Sequence, residues 1–89
     1  MGIPIDYVWG DDWVGIYVEG VLETQDESGN IDLWDFLIHH RGECLEPSPI
    51  IECDLDWLES QGQLPDKLED VKVLRNGISI TLAEAWKTE

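Results

Sequence analysis

A chain of 89 residues with 43% hydrophobic side chains is enough for one folded domain, spanning 1–89, and too apolar to stay disordered. Twenty Asp and Glu against five Lys and Arg give a net charge of −15, which repels nucleic acid and anionic membranes as direct ligands. No apolar run nears the ~20 residues that span a bilayer and no basic segment opens the chain, so a cytoplasmic setting with free thiols is expected.

The charge is unevenly spread. Residues 1–60 hold fifteen carboxylates and a single base, Arg41, whereas 61–89 hold five acids against Lys67, Lys72, Arg75 and Lys87. A field of this sign attracts basic partners over long range.

In chain order, IDYVW, WVGIYVE and VLETQ predict a three-stranded meander over 5–25, turned at GDD and at Glu19-Gly20. In the second strand Val14, Ile16 and Val18 alternate onto one face, and Trp13, Gly15, Tyr17 and Glu19 onto the other. Both faces therefore carry apolar bulk: either the C-terminal segment covers the second face, or a partner or second copy does. DESGN predicts a loop, with Ser28 or Asn30 capping a helix through IDLWDFLIHH. Its apolar stripe is Leu33, Trp34, Leu37 and Ile38, and Gly42 supplies a stop. Prolines 47 and 49 keep GECLEPSP out of helix, and IIEC predicts a short strand. Asp54 caps LDWLESQ, which Gly62 and Pro65 end. Asn76-Gly77 joins VKVL and ISITL as a type I′ hairpin, and Thr81 with Glu84 forms a capping box for LAEAWK. The expected fold is α+β, a small antiparallel sheet with two to three short helices.

Three clusters invite a chemical reading. HHRGECLEPSPIIECDLD, residues 39–56, gathers His39, His40, Cys44 and Cys53. Structural zinc sites want C-x₂₋₄-C or H-x₃₋₅-H spacing, which is missing here, and adjacent helical histidines diverge by roughly 100°. A Cys44–Cys53 disulfide would need an oxidising compartment. An ordinary loop accounts for the stretch. TQDESGNIDLWD, residues 24–35, can be laid on a calcium loop with Gly29 and Ile31 in register. However, Thr24 stands where a carboxylate belongs, and Asp35 where a bidentate Glu does. Calcium binding there is an alternative, not the main expectation. The acid pairs Asp11-Asp12, Asp26-Glu27 and Asp54-x-Asp56 could serve hydrolysis or magnesium, but no nucleophile motif or phosphate loop accompanies them. No catalytic residues, metal or cofactor are expected.

Of five tryptophans, Trp34 and Trp57 lie on predicted helices and read as core, while Trp9 and Trp13 bracket the acidic first turn. Indoles beside acids anchor interfaces. The expected partner-binding set is Asp11, Asp12, Trp13, Tyr17, Glu19, Glu23, Asp26 and Glu27. Carboxylates on a small rigid sheet can meet the Lys and Arg that line a nucleic-acid groove, so the expected partner is the basic surface of a nucleic-acid-acting enzyme. In size, charge and tryptophan content the chain resembles phage-encoded anti-restriction and anti-CRISPR proteins, and the immunity proteins that neutralise basic nuclease toxins. That resemblance implies an inhibitor that imitates DNA, and no individual residue carries it. The alternative is a non-catalytic interaction or accessory domain, with a homodimer possible.

Overall fold

The expected period-2 alternation is what the backbone adopts in a computed structural model, which describes residues 2–40 and 45–87. Strands β1 (Ile3–Gly10), β2 (Trp13–Val18) and β3 (Val21–Glu27) form the antiparallel meander. Both turns are two-residue loops. Asp11 takes φ 65° between the paired Gly10 and Trp13, while Glu19 and Gly20 take φ 52° and 79° between Val18 and Val21. Positive φ twists such turns in the sense that the flanking strands require. Between Ile16 and Tyr17 the β2–β3 register shifts, leaving Glu23 as the extra, outward residue of a bulge.

The sheet is mixed rather than wholly antiparallel. Two fragments, β4 (Leu45–Pro47) and β5 (Ile51–Glu52), run parallel to β1, against Ile3–Ile5 and Val8–Trp9 respectively. Pro47 is tolerated because this is the sheet edge, where no donor is needed on the outer side. Since β3 and β4 point the same way on opposite sides of β1–β2, the chain between them must cross a sheet face. Helix α1 (Leu33–His39) lies on that crossover. Its cap is Asp32, whose carboxylate accepts from Trp34 N at 2.9 Å; Ser28–Asn30 instead form a 3₁₀ turn.

Helix α1 does not present the expected stripe. Leu33, Phe36, Leu37 and His40 are half-buried, with Phe36 stacked on His40 at 4.4 Å, whereas Trp34 is 74% and Ile38 60% exposed. The inward positions follow i, i+3, i+4, i+7, one residue round from the run of largest side chains. Trp34 is therefore a surface residue, and Ile5, Val14 and Ile16 fill the sheet face on α1's side.

The other face is covered by the C-terminal segment. Helix α2 (Leu55–Gln61), hairpin β6–β7 (Lys72–Arg75, Ile78–Thr81) and helix α3 (Leu82–Lys87) send Leu58, Val73 and Leu82 onto it, joined by Leu64, Leu68 and Val71 from the connections. Their shared core includes Val8 and Tyr17 of the sheet. The expected turn and cap chemistry is in place: Asn76 and Gly77 take φ 54° and 79°, and Thr81 Oγ1 accepts from Glu84 N at 3.2 Å. Residues 66–68 also extend the meander. Leu22 N donates to Asp66 O, and Leu68 N to Gly20 O. These bonds shield one end of edge strand β3.

Gln25 fastens that segment to the sheet. Its Oε1 accepts from Trp13 Nε1 at 2.8 Å and from Leu64 N at 2.7 Å, and its Nε2 donates to Leu64 O. Gln25→Ala strips three half-buried groups of partners, at about 1–3 kcal/mol each where no water replaces them. A red shift of Trp13 emission should accompany a fall in Tm; unchanged emission would show that Gln25 does not hold the indole.

Candidate functional site

The first turn is the node of the site. Gly10 ends β1 without a side chain because a Cβ there would stand 2.9 Å from Trp13 O and collide with Leu58. Helix α2 can thus pack directly over the turn. A hollow of about 610 Å³ results, lined by Asp11, Asp12 and Trp13 of the turn and by Leu55, Asp56 and Glu59 of α2. A second hollow, about 490 Å³, adjoins it at Asp12 and Trp13 and is bounded by Glu27. Ser28 N donates to Asp12 O at 2.8 Å, tying the end of β3 to the turn. Five carboxylates therefore line two adjoining hollows that share one half-buried indole. Ammonium or guanidinium groups are the ligands that carboxylates so placed would suit, and an indole face reached by such a cation would add about 0.5–2 kcal/mol.

The expected binding residues do not all meet. Asp11, Asp12, Trp13 and Glu27 line the two hollows. Asp26 lies beside them in sequence, but its Oδ1 accepts from Glu27 N at 2.7 Å and from Asn30 Nδ2, so it shapes the turn. Glu19 sits in the opposite turn, about 20 Å from Trp13 along β2. Glu23 is on the bulge towards that far end. Tyr17 leaves the surface altogether. It is fully buried beneath Leu64 and Leu68, and its hydroxyl donates to Pro65 O at 2.5 Å. Burial pushes its ionisation well above the ordinary tyrosine range. A ring so enclosed supports the sheet and cannot touch a partner. Asp56 and Glu59, by contrast, were absent from the expected set, because 44 residues separate Asp56 from Asp12 and only the docking of α2 unites them.

Asp54 positions α2. It is buried, its carboxylate accepts from Asp56 N and Trp57 N, and its own N–H donates to Lys72 O at 2.8 Å. The Ser79 hydroxyl holds its carboxyl below the usual range, with the cap amides and Lys72 adding to the effect. The folded state thus favours the anion. Its stabilisation is complete above the unfolded value near 4 and is lost as pH falls through the depressed folded value. Asp54→Ala should lower stability at pH 7 by about 1–2 kcal/mol, and the difference from the parent should shrink as urea melts are moved from pH 6 towards pH 3. A gap that persists undiminished at pH 3 would refute the role of the charge.

The clusters weighed for metal chemistry are dispersed. His39 Nδ1 lies 2.8 Å from Asp35 O on α1, His40 stacks on Phe36, and Cys53 is buried in the core on the other sheet face. Cys44 and Gly42 lie outside the described residues. In the calcium-like stretch Thr24 and Asp26 belong to β3, and Asp32 is committed to its helix cap. Burial pushes the Cys53 thiol up to about 11, so it is protonated at neutral pH. Among the described residues no helix is long and apolar enough to cross a membrane. No family model, curated protein or solved structure matches the chain.

Proposed function

We propose that this protein is an acidic binding protein, not an enzyme, which docks on the basic groove of a nucleic-acid-acting enzyme and competes with DNA or RNA. The supporting observation is the gathering of Asp11, Asp12, Glu27, Asp56 and Glu59 around Trp13, in a chain whose first sixty residues hold fifteen of its twenty acids. Cations arrayed to meet phosphates would meet this surface, with the indole adding short-range affinity. Association is fast at low salt and weakens as salt rises.

The test is affinity capture from cells producing the tagged chain, identification of the captured protein, and competition with nucleic acid. A basic nucleic-acid-acting enzyme displaced by salt and by DNA or RNA is the expected result. A physiological partner that is neutral or acidic would end the proposal. An apolar interaction domain is the second reading, favoured by the exposed pair Trp34 and Ile38, one turn apart on α1. It predicts capture that survives high salt and is lost in Trp34→Ala.

A further inference from the structure

We infer that the acidic hollow continues into a partly apolar groove that takes an extended polypeptide segment bearing both basic and large apolar side chains, a refinement that rests on the acidic-docking reading. The continuity is explicit. Leu55 and Asp56 line the 610 Å³ hollow and also one of about 430 Å³, whose other walls include Trp9, Glu52 and Leu74. Trp9 and Glu52 in turn line another, of about 370 Å³, closed by Ile50. Along this path Ile50, Leu55 and Leu74 are 61%, 43% and 59% exposed, three of the eight large apolar side chains exposed among the described residues.

Charge decides what covers the groove. Glu52 and Asp56 line the path together with the apolar side chains, and Asp11, Asp12 and Glu59 continue the acidic rim. A second copy would bring another −15, and nucleic acid or an anionic membrane would be repelled. A compact cation would satisfy the carboxylates and leave Ile50, Leu55 and Leu74 in water. A polypeptide whose Lys or Arg side chains alternate with Leu, Ile or Phe satisfies both requirements, since successive side chains of an extended segment point to opposite sides.

Three labelled synthetic peptides of equal length test this by fluorescence anisotropy: alternating Lys-Leu, alternating Lys-Ser and alternating Glu-Leu. Expected is binding of Lys-Leu about tenfold or more tighter than Lys-Ser, roughly the effect of burying one leucine side chain. Glu-Leu should not bind. The double substitution Ile50→Ser, Leu74→Ser changes exposed positions, and circular dichroism checks that it folds. It should bring Lys-Leu down to the Lys-Ser level and leave Lys-Ser unaffected. Equal binding of the two lysine peptides, or Lys-Leu binding indifferent to the double substitution, would overturn the groove. If that equal binding is lost on replacing Asp11 and Asp12 by Asn, the acidic-docking reading survives the groove's failure. No binding of either lysine peptide would overturn both.

Discussion

Replacing Asp11, Asp12, Asp56 and Glu59 together by Asn and Gln is expected to weaken association with the proposed basic partner about 100-fold at physiological salt. Each exposed carboxylate facing a cation contributes about 0.5–1 kcal/mol, and each 1.4 kcal/mol is tenfold in affinity. At low salt most of the loss should fall in the association rate, because charges so placed would steer the encounter. The fold should tolerate the change. Asp56 favours the first turn of α2 by about 0.3–1 kcal/mol, and relief of repulsion in a −15 chain offsets that loss. Neutralising Glu19 and Glu23 is the internal control: it removes charge at the far end of the meander and should cost much less. Surface plasmon resonance over a salt series reads both. Affinity that survives the fourfold change but is abolished by Trp13→Ala would mean that the contact is apolar and phosphate mimicry the wrong explanation.

What the sequence made legible was local chemistry, and what it hid was everything that depends on two distant segments meeting. Asn76-Gly77, Asp54 ahead of LDWLESQ, Gly62 behind it and Thr81 with Glu84 all act through neighbours a few residues away, and each is where its chemistry puts it. The cap of α1 was misplaced because Ser28, Asn30 and Asp32 are all competent acceptors; the 3₁₀ turn at Ser28–Asn30 leaves Asp32 at the helix start. The parallel pairing of β4 and β5 was hidden by their length, since fragments of three and two residues show no period. For the same reason α1 misled: with seven residues, Trp34 and Phe36 could each have marked the inner face, and position relative to Ile16 chose Phe36. Half of the candidate site was thus readable from one turn. The contribution of α2 was not, because nothing near Asp56 or Glu59 signals which turn they will face.

Leu64→Ala is expected to cost about 2–5 kcal/mol, a large share of the stability of a domain this size, and to lower Tm by about 10–25 °C. Leu64 is 2% exposed and lies over Gly15 in the middle of β2, where a Cβ would stand 2.5 Å from its Cδ1 and 3.3 Å from Leu22 Cδ1. The missing side chain on the sheet is what lets the leucine descend, and the same residue's backbone holds Gln25 on both sides. Gly15→Ala alone should therefore destabilise by about 1–3 kcal/mol through overpacking, since Leu64 has no free space to retreat into. The double variant separates packing from any general intolerance. A methyl at position 15 would occupy part of the cavity left by the shortened residue 64, so the two losses should fall short of their sum by about 1 kcal/mol or more. Simple additivity in urea melts would show that Gly15 and Leu64 do not share one volume. Because Leu64 follows Gly62 at the end of α2, its loss should also loosen the helix that carries Asp56 and Glu59. Partner affinity should fall in Leu64→Ala although no acidic side chain has changed, and recover in part in the double variant.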